Sequence, residues 1–342
     1  MQSWAIVMTV CEPPALVLAN VAWHLATGAA EVHVYLDDPD DPVAVLLRDV
    51  PGARVTCCNP GHWRDVALRR KRPESINRRQ ALNANHALAR TEADWLFHID
   101  ADEFLWQERS LGEELAVVSE LNVELHLPVA ERLYRIGAPR ETIFDGLFRT
   151  STKGLNRCAD GGTHDAKIFG DHLAVLLHGV LGHSAGKCGV RPGAGHRLGI
   201  HWSYQGDTRH RVDRYRSTST RLLHFDGLTP LHWLSKLVRY RDTDPDVMGV
   251  ADHRKEQIAL MTAMVDEPCG LIQLHDELRV FDDSRLQRLR AFGLLHEVPF
   301  DPRPAIAPLL PELPDLSPAA FDAALIARTP VLASQIGETA HA

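Results

Sequence analysis

This chain of 342 residues lacks the features that mark several large functional classes. No apolar run is long enough to span a bilayer, so no transmembrane segment is expected. The opening residues, Met1-Gln2-Ser3-Trp4-Ala5-Ile6-Val7, carry neither the basic start nor the long apolar core of a signal peptide. The six cysteines (Cys11, Cys57, Cys58, Cys158, Cys188 and Cys269) are scattered, with no Cys-x-x-Cys pair. That spacing argues against a zinc ribbon or a disulfide scaffold and suits a reducing cytoplasm. Positive charge is not in excess, and a net charge of -8 does not favour nonspecific nucleic-acid binding. Internal repeats and low-complexity tracts are missing from the first half. So is the phosphate-loop pattern G-x-x-x-x-G-K-[ST], which Gly186-Lys187-Cys188-Gly189-Val190-Arg191 does not complete.

What is present reads as an ordinary globular protein, with 45% hydrophobic and 24% charged residues and enough length for a large core. The apolar run Trp4–Val10 predicts a first strand, and Pro13-Pro14 opens a helix that runs to a natural stop at Gly28. Val32, Val34 and Leu36 alternate into a second strand that ends in the acidic turn Asp37–Pro42. A helix over 43–49, a strand over Arg54–Cys58, the basic loop Arg69–Arg72 and a helix over Ser75–Arg90 follow. Such alternation predicts an α/β fold with a doubly wound, mostly parallel sheet. Beyond Leu105, strands are expected near Val123–Leu127 and over His172–His178, and helices over Thr229–Arg241 and within 254–292. Recurrent prolines from Pro299 predict an extended tail, broken by a short helix around Ala319–Ala327. The expected organisation is an α/β domain over 1–245, a helical C-terminal extension over 246–298 and a proline-rich tail with a short terminal helix over 299–342.

The most informative stretch is Trp95-Leu96-Phe97-His98-Ile99-Asp100-Ala101-Asp102-Glu103-Phe104-Leu105. A short apolar run, read as a buried parallel strand over Trp95–Ile99, ends in two carboxylates one residue apart with a third beside them. Ligands of open α/β sheets bind beyond the carboxyl ends of such strands. If strand geometry persists, Asp100 and Asp102 point to the same side and can hold Mn2+ or Mg2+, and through it a diphosphate. The plain alternative is an acidic loop capping the next helix.

Five segments together resemble the GT-A glycosyltransferases of the family 2-like and family 92-like group. They are Met8-Thr9-Val10 with Glu12, Trp23-His24 with Gly28, Asp37-Asp38, Arg79-Gln80 with Asn83, and Trp95–Leu105. Leu223-His224-Phe225, followed by Trp233, Lys236 and Arg239, extends the likeness to roughly residues 4–240, with weak similarity over 106–220. The family's Lys-Asn-Glu after the first strand is here Cys11-Glu12-Pro13, so only the glutamate is kept. The resemblance implies a Rossmann-like GT-A domain that binds a nucleoside diphosphate sugar. Thr9 and Glu12 would line the nucleotide slot, Asp37 or Asp38 would meet the base or ribose, and Arg79 would reach the nucleotide. Asp100 would bind the ion or orient a ribose hydroxyl, and Asp102 and His224 would hold the ion. Lys187 would touch phosphate or acceptor, and Lys236 and Arg239 would face phosphate. For Asp37 and Asp38 a solvated turn is the plain alternative, for Lys236 and Arg239 a solvated helix edge, and for Arg79 an ordinary helix charge.

The implied activity is that of a metal-dependent hexosyltransferase-like enzyme, moving a sugar from a UDP-sugar or related donor to a hydroxyl of a glycan or lipid-linked acceptor. Membrane contact would be peripheral. An inverting transfer needs a carboxylate near the acceptor hydroxyl. Asp165, Glu131 and Asp226 qualify by position, and spacing does not choose among them. A sugar nucleotidyltransferase is the enzymatic alternative, although Val10-Cys11-Glu12-Pro13-Pro14 is not the glycine-rich basic loop it would carry. A non-catalytic nucleotide-sugar-binding module is the other.

Overall fold

A computed structural model describes residues 1–153, 155, 164–241, 250–264 and 268–329. Cys158, parts of the 246–298 segment and the end of the tail lie outside these residues. The chain divides into two compact units that interleave in sequence. The first comprises Met1–Pro128, Ala185–Leu222 and Pro302–Pro314; the second comprises Val129–Ser184, Leu223–Asp301 and Asp315–Ala342.

The first unit begins β1 (Trp4–Val10), α1 (Pro14–Ala26), β2 (Glu31–Leu36), α2 (Val43–Leu47), β3 (Ala53–Cys57), α3 (Pro60–Val66) and α4 (Ile76–Leu88). It continues with β4 (Trp95–His98), β5 (Glu103–Gln107), α5 (Leu111–Val118) and β6 (Glu124–Leu127). The second unit supplies β7 (Val129–Arg135), β8 (Leu147–Arg149) and α6 (His164–Phe169). The chain then returns to the first unit for β9 (Lys187–Val190), β10 (His196–Leu198), β11 (Ser203–Gln205) and β12 (Arg214–Arg216). β13 (Thr220–His224) runs from the first unit's sequence into the second's, which goes on with α7 (Pro230–Arg241), α8 (Asp252–Ala263), α9 (Pro268–Arg279), β14 (Val280–Phe281), α10 (Asp283–Ala291) and β15 (Leu295–His296). Finally α11 (Arg303–Ile306) belongs to the first unit and α12 (Pro318–Arg328) to the second.

The first unit is built on a seven-stranded sheet of order β12-β6-β9-β4-β1-β2-β3. β4, β1, β2 and β3 are mutually parallel, so the α/β reading holds. Strand order reverses between β1 and β4, which places the ends of both strands at a topological switch point. β9 is antiparallel to both β4 and β6, which makes the sheet mixed on that side. β1 and β2 are almost wholly buried because helices cover both faces, and this explains their continuous apolar sequence. Ala5, Val7, Tyr35, Trp63, Leu96 and Val190 belong to the core on one face. Ser75 caps α4 by accepting from Arg78 N, and that helix buries Arg79, Asn83, Ala84, Ala87 and Leu88. The spacing is that of one helical stripe, so Arg79 and Asn83 face inward with the alanines.

In the second unit β15, β8 and β7 pair antiparallel, and β14 pairs parallel with β7. Its core gathers Leu133, Phe169, Trp233, Leu237, Met261 and Phe281. One element differs in kind from the sequence reading. His172–His178 is not a strand; Gly170–Val175 forms a 3₁₀ helix that enters with Gly170 at φ +58°. A short apolar run fits a buried helix as well as a strand, and here Val175 and Leu176 join the helical core.

Gly189 shows how tightly β9 is seated. It pairs with Phe97 of β4, and a Cβ there would lie 2.4 Å from the Phe97 ring. Gly189→Ala is expected to destabilise the protein by about 1–3 kcal/mol through overpacking, as read by urea unfolding. An unchanged midpoint would mean that the β4–β9 spacing is not fixed by this contact.

Candidate functional site

The acidic triplet does not continue the strand. β4 stops at His98, and Asp100–Asp102 lie in a turn before β5. Strand alternation therefore does not apply to Asp100 and Asp102, and the turn has its own bonding. Asp100 N donates to Glu103 Oε2 at 2.7 Å, and Glu103 N donates to Asp100 O at 3.1 Å. α1 clamps the turn from one side. Asn20 Nδ2 donates to Ala101 O at 2.9 Å and to Glu103 O at 2.8 Å, on either side of Asp102. Trp23 Nε1 donates to Leu105 O, and Leu105 N donates to His24 Nε2. Trp23 and His24, seen in the sequence only as parts of a motif, thus hold the acidic turn and β5 in place.

The Asp100 carboxylate is held from two directions. Gln80 Nε2, on α4, donates to Oδ1 at 2.7 Å, and Lys187 Nζ, on β9, donates to Oδ2 at 2.7 Å. Lys187 also lies 3.5 Å from Glu103. The Lys187 and Glu103 side chains are wholly buried, whereas that of Asp100 is 28% exposed. Burial alone would raise the Asp100 carboxyl, but the Lys187 ammonium outweighs it and holds the group well below the usual carboxylate range. Burial would lower Lys187, but Asp100 and Glu103 outweigh it and raise the ammonium above its usual value. His98 donates through Nδ1 to Gly199 O at 2.8 Å; burial, with Lys187 nearby, pushes its imidazole down to about 4.

The neighbouring slot at the ends of β1 and β2 is also internally paired. Asn83 Nδ2 donates to Thr9 Oγ1 at 2.9 Å, and His62 Nε2 donates to Asn83 Oδ1 at 2.8 Å. Asp37 meets Arg79 Nε at 2.9 Å and Arg72 at 2.7 Å, while Arg79 donates to the carbonyls of Pro73 and Glu74. Arg72, read in the sequence as surface loop, is therefore part of this charged corner. Asp38 is exposed and accepts from Asp40 N within its own turn. Glu12 is half-buried beyond the end of β1.

The remaining sequence candidates lie in the second unit. His224 ends β13 and stacks on His183, with ring centroids 4.8 Å apart. His224 offers a ligand atom within 4.8 Å of one on His183, and one within 4.8 Å of a carboxylate oxygen of Asp226. Asp226 faces Arg254 at 3.2 Å, Arg279 at 3.3 Å and Lys236 at 3.7 Å. Burial would raise its carboxyl, but these cations, Arg254 foremost, hold it far below the usual range. Glu131 is fully buried and accepts from Leu181 N at 2.8 Å, Gly182 N at 2.6 Å and Arg149 at 3.1 Å. Burial would raise its carboxyl too, and Arg149 with Arg279 keeps it low. Asp165 sits partly exposed in the first turn of α6, and Arg239 is exposed near the end of α7.

Asn20 and His183 escaped the sequence reading, and Gln80 was given no role in it. Gln80 stood beside Arg79 in a matched segment, so a signal existed. Nothing singled out Asn20 among helix residues, or His183 among 19 histidines.

No protein-family profile and no curated protein matches the chain. Among solved structures it is similar to residues 1–349 of TarS from S. aureus, at 16% identity over 45% of this chain and 43% of that one, with a TM-score of 0.27. A longer TarS structure gives 12% identity over 98% and 55%, with a TM-score of 0.31. Glucosyl-3-phosphoglycerate synthase from Mycobacterium tuberculosis, in complex with Mn2+, UDP-glucose and phosphoglyceric acid, gives 18% identity over 57% and 62%, with a TM-score of 0.28. In these three matches the chain spans less than two thirds of the other chain.

The Lys187–Asp100 pair has a definite pH signature. A lowered carboxyl contributes stability above its unfolded value and loses it as pH falls; a raised ammonium contributes below its unfolded value and loses it as pH rises. The pair is thus at full strength between about pH 4 and about pH 10. Lys187→Met should cost about 3–5 kcal/mol at pH 7, because it strands buried carboxylates, and less toward pH 4, where they take up protons. Urea unfolding across that range measures this. A penalty that does not vary with pH would remove the ionic account.

Proposed function

We propose that this chain is a metal-dependent glycosyltransferase with a GT-A core, taking a nucleoside diphosphate sugar (a UDP-sugar in the first instance) as donor. The acceptor class is a hydroxyl of a glycan or lipid-linked glycan. The observation that carries the reading is the acidic turn at the β1/β4 switch point, with Asp100 fixed between Gln80 and Lys187. A turn ordered from both sides is suited to presenting carboxylate to a cation without reorganisation.

In this reading Asp102 is the metal ligand of the first unit, and Asp100 orders the turn and a ribose hydroxyl or a metal-bound water. Carboxylate donors suit both Mn2+ and Mg2+. A bound ion would neutralise charge growing on the leaving diphosphate. Thr9, Glu12, Asp37 and Arg79 line the nucleotide slot. Among the candidate bases, Asp165 is preferred. Both oxygens of Glu131 are taken by backbone and Arg149, and Asp226 is surrounded by cations, which makes either a poor proton acceptor.

Thermal melting with Mn2+ and a panel of UDP- and GDP-sugars tests the proposal. A donor at about a hundred times its Kd should stabilise the protein by about 2.7 kcal/mol. That gain should require metal and should vanish in Asp102→Ala. Donor hydrolysis on the same panel should follow the same pattern. Equal stabilisation with and without metal would overturn the metal-dependent reading, and stabilisation without any turnover would favour a binding module.

A further inference from the structure

Besides the basic loop Arg69–Arg72, this net-acidic chain carries a second basic segment. Residues 191–216 contain six arginines against two aspartates, a net +4, so the rest of a chain with total charge -8 carries -12. The segment is an ordered part of the first unit. β10 and β11 pair antiparallel, Gln205 N donates to His210 O, and Val212 N donates to Ser203 O. Buried Glu124 anchors it, accepting from Ser203 N and Oγ at 2.6 Å and pairing with Arg214. The Trp202 ring is the centre of the surface. The guanidinium carbons of Arg211 and Arg214 lie 3.7 Å and 3.8 Å from its centroid, and Arg197 lies 5.1 Å from the Tyr204 ring. Arg214 and Arg216 stand two apart on β12 and so share a face. Arg209, Arg211 and Arg216 are exposed, and among the described residues only Arg214 of the six arginines has an ion-pair partner.

We propose that this arginine-flanked Trp202 surface docks a soluble polyanion, a chain of repeating phosphates. Stacking fixes guanidiniums in a planar, preorganised array, which suits bidentate contact with phosphate oxygens. A lipid surface fits less well. The hairpin tip, Gln205–His210, is exposed and has no large apolar side chain to insert, and Trp202 is occupied by two guanidiniums. The surface also shares the framework of the acidic turn. Its Gly199 accepts from His98, and its His201 donates through Nδ1 to Gly186 O, the residue before Lys187. Binding of the polyanion does not rest on the transferase reading.

Fluorescence anisotropy of labelled long-chain inorganic polyphosphate, titrated with the full chain at several salt concentrations, tests the binding without donor or metal. Arg209→Ala/Arg211→Ala/Arg216→Ala should weaken binding at least tenfold and flatten the salt slope by about 2–3 units. Arg48→Ala/Arg288→Ala/Arg290→Ala, which removes the same charge from exposed sites elsewhere, should leave binding within twofold. Should the first variant melt early, Arg209→Glu alone, at the exposed tip, should still weaken binding severalfold. Equal loss in both triple variants would reduce the effect to net charge and overturn the proposal. Preference for phosphatidylglycerol vesicles, or tighter binding of single-stranded DNA of matched charge, would also overturn it, in favour of a membrane or a nucleic acid respectively. Failure of the donor screen with polyphosphate binding intact would sink the transferase reading alone.

Discussion

The first unit depends on one buried cation. Lys187 is wholly enclosed, and an ammonium in that position is tolerable only because Asp100 and Glu103 surround it. Its reach to Asp100 requires β9 to lie antiparallel against β4, and that register requires a glycine opposite Phe97. β9 arrives only after the chain has left the first unit at Pro128 and returned at Ala185. The charge that orders the acidic turn is therefore delivered from far along the sequence. A chain ending before that return would leave buried Glu103 and partly exposed Asp100 without their counter-ion, which is a folding failure before it is a functional one.

The second unit solves a different charge problem. Glu131 and Asp226 are both buried among arginines, and neither holds its proton near neutrality. Glu131 spends its oxygens on two backbone N–H groups at Leu181 and Gly182. It thereby fixes the loop beside His183, and Gly182 must be glycine because a Cβ would strike His224 at 2.6 Å. Removing either carboxylate would strand guanidiniums that are themselves buried. Such carboxylates are structural anions first. This explains why position in the sequence, downstream of the acidic turn, could not separate a proton acceptor from a counter-ion.

The parallel strands, α1 and α4 were legible because each rule involved is local. Continuous apolar runs mark two-sided burial, Pro14 opens a helix, and Ser75 caps one. The acidic turn was legible as chemistry but not as geometry: a strand was extended through Ile99 where the chain turns after His98. Lys187 was noticed as a glycine-flanked basic residue, yet its partner was not, since a pair 87 residues apart leaves no periodic trace. Arg72 looked like one of four loop cations, and only folding brings it to Asp37. The segment His172–His178 misled because a short apolar run does not declare its own period.

The wealth of histidine has a physical reading that its number alone does not suggest. Burial pushes His24 and His126 down to about 4, so both are neutral at pH 7, and His98, beside Lys187, behaves alike. A neutral imidazole offers one donor and one acceptor, a combination that can stitch a backbone carbonyl to a backbone N–H. His24 does both, donating through Nδ1 to Asn20 O and accepting from Leu105 N, and so joins α1 to β5 beneath the acidic turn. His98, His126 and His201 each meet a carbonyl in the loops around β9 and β10. A lysine in these places would bring a charge to be buried, and an asparagine lacks the ring that fills the space. The imidazoles thus supply polar connections around Lys187 without adding to the charge that Asp100 and Glu103 already balance.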